Sequence, residues 1–262
     1  MPEGHTIHRS ARDQKPLFAG KTLSVSSPQG RFLEGAEHLN GLRCQTVEAL
    51  GKHLLYGFDT GETLHIHLGL YGKIRMQRQP MLEPKGAVRV RLESSDNGVD
   101  INGPNRCEIL DPEGRAALFA RIGPDVLRKD ANPERAYDRI VKSRSPIGIL
   151  IMNQEVMAGI GNIYRTEVLW RQRIHPDMPG NALTREAFDA LWADSCHLLE
   201  IGVKKNAIIT VDGGTKSGKR YGENVNIFNL ETCPECNGRV RKFEMATRRA
   251  FVCDTCQPLG AG

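Results

Sequence analysis

Long apolar runs are missing from this sequence. No segment reaches the roughly eighteen consecutive apolar residues of a transmembrane helix, so a helix that spans a membrane is excluded. The opening residues MPEGHTIHRSARDQK also lack the apolar stretch of a signal peptide, so no secretory leader is expected. Neither charge sign dominates: 36 Lys and Arg stand against 31 Asp and Glu, a net charge of +5. Such a balance is compatible with nucleic acid without selecting it. Internal repeats and low-complexity tracts are absent. What is present, 262 residues with 39% hydrophobic and 26% charged, suffices for packed cores and excludes wholesale disorder.

Cysteine is scarce, and its placement is uneven. Of seven cysteines, four fall in Cys233-Pro-Glu-Cys236 and Cys253-Asp-Thr-Cys256, two CxxC pairs sixteen residues apart. Each CxxC makes a knuckle that sets two thiolates on one side, and two knuckles complete a tetrahedron around one structural Zn²⁺. Paired disulfides and a redox CxxC are weaker alternatives without a secretory signal or a βαβ setting. The intervening NGRVRKFEMATRRAFV reads as strand, turn, strand, with Arg239, Arg241, Lys242, Arg248 and Arg249 against Glu244 alone. That excess of positive charge suits phosphate contact or insertion into a minor groove, and a solvated basic face is the alternative. Cys44, Cys107 and Cys196 stand alone and read as small buried hydrophobes.

Periodicity changes along the chain. The first seventeen or so residues form a helix pattern with Ile7 and Ala11 on one face. From Thr22 to Leu110, short β-branched and aromatic runs (46–50, 53–59, 63–72, 74–77 and 87–93) predict strands of an antiparallel sandwich or barrel, with Asp59-Thr60-Gly61-Glu62 as a hairpin turn. Helical patterns follow at 112–121, 133–142, 146–154, 162–173 and 184–204, with Asp111-Pro112 and Asn132-Pro133 as N-terminal signatures. The expected fold class is α+β: an N-terminal helix plus an antiparallel β-sandwich over 1–127, a helical domain over 128–232, and a zinc hairpin over 233–262.

The N-terminus can act as a reagent. Once Met1 is removed, Pro2 becomes a free secondary amine, and an α-amino group with a pKa of roughly 7.7–8.0 is partly nucleophilic at neutral pH. It can attack a sugar aldehyde and form an iminium, and Glu3 beside it can donate or shuttle a proton. A frayed terminus is the alternative.

Pro2-Glu3-Gly4, Gly51-Lys52-His53 between two strands, Gly159-Ile160-Gly161-Asn162-Ile163-Tyr164 before a helix and the terminal four-cysteine hairpin occur in this order over the whole chain. In this the sequence resembles the formamidopyrimidine-DNA glycosylase and endonuclease VIII family of bifunctional DNA glycosylase/AP lyases. The PEGHT start is most like the actinobacterial second endonuclease VIII branch. The resemblance implies an enzyme of base excision repair acting on damaged DNA as a bacterial cytoplasmic monomer, with one structural Zn²⁺ on Cys233, Cys236, Cys253 and Cys256. It further implies that Pro2 attacks C1′ of the damaged nucleotide, that Glu3 assists base loss and sugar opening, and that Lys52 donates a proton in β-elimination. Residues 154–164 match a helix–two-turns–helix in which Asn162 grips a phosphate, and Arg248 matches a hairpin arginine implicated in δ-elimination, with Arg249 as its neighbour. Leu70 and Tyr71 occupy the place of a wedge that fills the hole left by an everted base; a core-strand role is the other reading. The glycine-rich segment with Lys216, Lys219 and Arg220 matches a loop that covers the lesion. It is only a near-miss to a phosphate loop, because Arg220 stands where Ser or Thr must hold Mg²⁺, so no nucleotide cofactor is expected.

Departures from the pattern bear on the chemistry. Thr6 stands where the family usually carries a second glutamate, His5 replaces a proline, and Asn153 replaces an aspartate. Base excision then relies on Glu3 alone or on His5, unless His5 and His8 belong to a helix face. Around Pro104-Asn105-Arg106-Cys107 the phenylalanine of the formamidopyrimidine branch is missing. This favours oxidised pyrimidines over an 8-oxoguanine or formamidopyrimidine preference. A damaged-DNA-binding protein without catalysis is the remaining alternative.

Overall fold

The alternation of apolar and polar residues between Thr22 and Leu110 resolves into paired antiparallel strands. The computed structural model describes residues 2–214 and 221–259, and the chain divides after Arg121 into two compact units. Lys216, Lys219 and Arg220 lie outside the described residues.

The first unit opens with helix α1 (Gly4–Phe18) and holds two four-stranded sheets. One sheet orders β1 (Ser24–Ser26), β6 (Val88–Glu93), β7 (Asn97–Asn102) and β5 (Lys73–Arg78); the other orders β2 (Cys44–Leu50), β3 (His53–Phe58), β4 (Thr63–His67) and β8 (Arg106–Leu110). Helices α2 (Leu33–Leu39) and α3 (Pro112–Arg121) complete it. Period-two alternation sends Leu54, Tyr56 and Ile66 of one sheet and Val90, Leu92, Val99 and Ile101 of the other into a single buried cluster. Helix α1 adds Ile7, Ala11 and Phe18, spaced for one helical face. Each fully buried side chain of this size contributes about 1.5–3 kcal/mol relative to exposure. Gln14 of α1 accepts the Tyr56 hydroxyl at 2.6 Å, which fixes the helix against β3.

The second unit contains α4 (Glu134–Val141), α5 (Ile147–Leu150), α6 (Asn162–Arg171), α7 (Arg185–Lys205) and the hairpin of β9 (Arg241–Met245) and β10 (Arg248–Val252). The Thr184 hydroxyl caps α7 by accepting from the Ala187 amide at 3.2 Å, and Asn206 ends it in a left-handed conformation, φ 53°. Ala246 and Thr247, both at positive φ, form the turn between β9 and β10. No helix among the described residues is long and apolar enough to cross a membrane.

Several elements differ from the sequence pattern, and the strands β1, β7 and β8 fall outside the runs it marked. The strand expected over 63–72 stops at His67, because Gly69 turns to φ +65° and the Gly72 amide bonds back to the Leu68 carbonyl at 3.1 Å. The helix expected over 146–154 shortens to α5, because side chains take over its end. Asn153 Oδ1 accepts from the Glu155 amide, and the Gln154 carboxamide bridges the Gly159 amide and the Ile160 carbonyl. Helix α2 falls in a stretch whose pattern predicts no helix.

Candidate active site

Pro2 is half-buried directly before α1, and Glu3 is the helix N-cap residue with φ −114° and ψ 179°. Its side chain is fully buried, and its carbonyl accepts from the Thr6 amide at 2.9 Å. A carboxylate at a helix N-terminus sits where the helix dipole favours negative charge. Thr6 Oγ1 lies 3.2 Å from His5 Nε2, and burial pulls the His5 imidazole down to about 4. His5 is therefore a neutral buried ring at neutral pH, and His8 on the same helix is half-buried.

Lys52 sits on a two-residue turn. Leu50 and His53 pair across β2 and β3, leaving Gly51, at φ +57°, and Lys52 as the link. The turn chemistry fixes the lysine at the end of the sheet, and its charge bears on His67 of β4. The next corner carries Leu70 and Tyr71. The tight turn that ends β4 exposes Leu70 by 41% and Tyr71 by 86%, so neither belongs to the core.

In the second unit, Asn162 is the first residue of α6 and is buried. Its amide nitrogen donates to the Arg249 carbonyl at 3.0 Å, and its Oδ1 accepts from the Arg165 guanidinium, itself almost wholly buried. Asn162 and Arg165 thus dock α6 on β10, a role that the sequence pattern did not suggest for either. Glu167, one turn further, is a fully buried carboxylate that accepts from Thr210, Asn226, Ile227 and Phe228. Nothing in its local sequence marks it, since an acidic residue on a helix normally reads as solvated.

The four hairpin cysteines converge. Their sulfurs lie within 4.8 Å of one another, with Cys236–Cys253 at 3.4 Å and Cys233–Cys256 at 3.7 Å. Those separations are far longer than a disulfide bond of about 2.05 Å. They suit thiolates about 2.3 Å from a shared tetrahedral ion. Burial pushes the Cys233 thiol up, but amides of Cys236 and Glu235 and the Trp170 indole outweigh it and hold the thiol below its ordinary range. Trp170 of α6 packs with Cys233, Val240, Phe251 and Cys253 in one apolar cluster. Of the hairpin's basic residues, Arg241 pairs with Asp254 and Lys242 with Glu231. Arg239, Arg248 and Arg249 make no ion pair among the described residues, so they concentrate the available positive charge. Cys44, Cys107 and Cys196 are free, and burial raises each thiol, to about 12 for Cys44 and Cys107 and about 11 for Cys196.

An antiparallel sandwich opening with Pro2-Glu3 and a helical unit closed by a four-cysteine hairpin define one class of protein. The family model of the Formamidopyrimidine-DNA glycosylase N-terminal domain matches residues 1–106, and that of the Formamidopyrimidine-DNA glycosylase H2TH domain matches residues 122–212. The chain is 43% identical to Endonuclease 8 1 of Mycobacterium tuberculosis over 267 residues, covering 98% of this chain and 100% of the relative. It is 31% identical to the Formamidopyrimidine-DNA glycosylase of Chloroflexus aurantiacus over 278 residues, covering 98% of each. The crystal structure of Lactococcus lactis formamidopyrimidine-DNA glycosylase, non-covalently bound to DNA containing an AP site, superposes with a TM-score of 0.80 at 22% identity, covering 98% of this chain and 100% of that one. The chain belongs to the formamidopyrimidine-DNA glycosylase and endonuclease 8 family.

Proposed function

We propose that this protein is a bifunctional DNA glycosylase/AP lyase of base excision repair that removes oxidised pyrimidines and then cleaves the strand. The observation that carries this reading is the placement of Glu3, fully buried as the first cap of α1 and adjacent to Pro2, in a chain with 43% identity to an endonuclease 8. After removal of Met1, the Pro2 amine attacks C1′ of the damaged nucleotide. The C1′–N bond breaks, the base leaves with a proton, and an iminium joins Pro2 to the opened sugar. Glu3 supplies the proton that opens the ring. Loss of the C2′ proton then expels the 3′-phosphate in β-elimination, with Lys52 donating a proton to the departing side. Arg248 contacts the phosphate in the δ-elimination that follows.

Damaged DNA is the partner, held by backbone contacts from Asn162 and the hairpin arginines and opened by Leu70 and Tyr71. The 216–220 segment covers the lesion. The roles follow the expected domains: 1–127 carries the reacting groups, 128–232 the helix–two-turns–helix, and 233–262 the metal hairpin. Cys233, Cys236, Cys253 and Cys256 would hold one Zn²⁺, which supplies a structural staple and no reaction step. The protein acts as a monomer in the bacterial cytoplasm, without a nucleotide cofactor.

The test is borohydride trapping on an oligonucleotide with one abasic site, beside 5-hydroxyuracil and 8-oxoguanine lanes and a Met1-retaining control. An adduct that the control lacks, with preferential loss of 5-hydroxyuracil, is the expected result. Stronger action on 8-oxoguanine would transfer the protein to the formamidopyrimidine branch. No adduct in any lane from processed, zinc-loaded protein would leave a non-catalytic damaged-DNA-binding protein.

A further inference from the structure

The link between α6 and α7 makes its own contacts with the cysteine hairpin, apart from the sulfurs. Arg173 takes φ 59°, and the Ile174 amide bonds back to the Leu169 carbonyl at 2.9 Å, which ends α6. Ile174 and His175 then meet the Cys253-Asp254-Thr255-Cys256 knuckle. The Ile174 carbonyl accepts from Gln257 Nε2 at 2.7 Å, and Gln257 Oε1 accepts from the Cys253 amide at 3.1 Å. His175, only 4% exposed, brings its Nε2 to 3.3 Å from Oδ1 of Asp254.

A backbone contact fixes the proton on the His175 ring. Its Nδ1 lies 3.0 Å from the Asp177 amide nitrogen, which can only donate. Nδ1 is therefore the bare acceptor, and the proton of the neutral ring stands on Nε2. The Asp177 carboxylate, 3.9 Å from Nδ1, is too far to reverse this. Arg241 Nη2 lies 3.3 Å from the same Nε2, but a protonated nitrogen offers it no lone pair. The guanidinium goes to Asp254 instead, Nε to Oδ2 at 2.9 Å and Nη2 to Oδ1 at 2.8 Å. Asp254 thus accepts from the His175 ring and from both of these nitrogens of β9.

The place of that carboxylate gives the bonds a consequence. Asp254 follows directly on Cys253 and stands two residues before Cys256, so whatever holds it holds the backbone behind two of the four sulfurs. Cys253 in turn follows directly on β10, the strand that carries Arg248 and Arg249. At the other knuckle the matching contact is a surface ion pair, Glu235 with Arg173, so the two knuckles are not held alike.

We propose that His175 is a positioning residue of the metal site, holding the Cys253–Cys256 knuckle in ligating geometry through the Asp254 carboxylate. The inference rests on the four cysteines holding Zn²⁺, as proposed above.

The test uses full-length, zinc-loaded protein with His175→Gln, His175→Asn, Asp254→Ala and the double variant His175→Asn/Asp254→Ala. Glutamine carries an N–H donor at the reach of Nε2, whereas asparagine extends only as far as Nδ1. Zinc transfer to a coloured chelator is followed in time, and long-range ¹H–¹⁵N correlation spectra read the His175 tautomer. The wild-type ring is expected to be protonated on Nε2. His175→Asn and Asp254→Ala are each expected to release zinc about ten-fold faster than wild type, and His175→Gln within about three-fold of it. The double variant is expected to release no faster than the faster single variant. A packing role for His175 would make glutamine and asparagine alike, and effects that multiply in the double variant would mean that the two residues act separately. Either result, or a wild-type ring protonated on Nδ1, would overturn the inference and leave the four-cysteine site standing. The Asp254 side chain is 54% exposed, so its replacement does not cut into the core. Wild-type release from Asp254→Ala would overturn the inference even where a His175 variant fails to fold. Wild-type protein that binds no zinc would overturn the metal site first, and this inference with it.

Discussion

Ile227, sixty residues downstream in the chain, donates its backbone amide to Oε1 of the buried Glu167 at 3.0 Å. Phe228 donates to the same oxygen at 2.8 Å, while Oε2 accepts from the Thr210 hydroxyl at 2.5 Å and from the backbone and side-chain nitrogens of Asn226. One carboxylate on α6 therefore ties together Thr210 and the 226–228 segment, which flank residues 215–220 on either side. A buried charge is tolerated here because its oxygens are saturated with donors.

Replacing Glu167 by Ala leaves those donors buried without an acceptor. The expected cost is about 3 kcal/mol or more of folding stability, since each stranded donor carries a desolvation penalty. Urea denaturation of the variant should show a midpoint well below wild type. An unchanged midpoint would mean that water replaces the carboxylate, and that Glu167 is not the anchor described.

Metal analysis should find about one zinc per chain, removed by replacing Cys233 with Ser. Trp170 packs against Cys233 on the apolar side of the cluster, so its fluorescence should shift to the red as the hairpin opens. The β-sandwich has its own core and should keep its structure in the same sample. Full zinc retention by the variant would refute a four-cysteine site.

Tyr71→Ala removes a ring that is 86% exposed and makes no core contact. Stability should stay within about 0.5 kcal/mol of wild type. Excision of an oxidised pyrimidine from duplex DNA should fall, while scission at a preformed abasic site, where no base has to be everted, should be largely kept. Equal losses on both substrates would remove Tyr71 from the wedge.

Acid should destabilise the protein before its carboxylates titrate. His5 is held down to about 4 and His53 to about 3, both by burial, against an ordinary histidine value of 6.5. Below that ordinary value the unfolded chain binds protons at these positions that the folded chain refuses. Stability therefore falls as pH drops from 6.5, by up to about 1.4 kcal/mol per pH unit for each such ring. Urea midpoints between pH 7 and pH 5 measure it, and His53→Phe should flatten the slope. A slope unaltered by that substitution would show that His53 charges freely in the folded state.

Features confined to a few neighbouring residues were legible without coordinates. The CxxC pairs bring four sulfurs within 4.8 Å, as their spacing implied, and Asp111 accepts from the Gly114 amide at 2.7 Å where Asp-Pro announced a helix start. The apolar alternation of β2 to β6 marked the sandwich. Where the pattern misled, a local exception was responsible: Gly69 at positive φ ended β4 early and turned Leu70 and Tyr71 outward.

Sequence alone determined the family-bearing features of this protein: a proline and a glutamate at its start, a lysine on a strand turn, a glycine-rich helix entry and a cysteine hairpin. Each is local, set by spacing, backbone sterics and side-chain chemistry over a few residues. Tertiary structure alone decided that Glu167 meets Ile227 and that His65 stands between Glu108 and His53. It also decided that the Asn162 amide engages Arg249. Those partners lie 60, 43, 12 and 87 residues apart. Only strand register and helix packing bring such groups within hydrogen-bond reach, and burial then changes what they do. A glutamate becomes an anchor and a histidine resists protonation because water has been excluded from both.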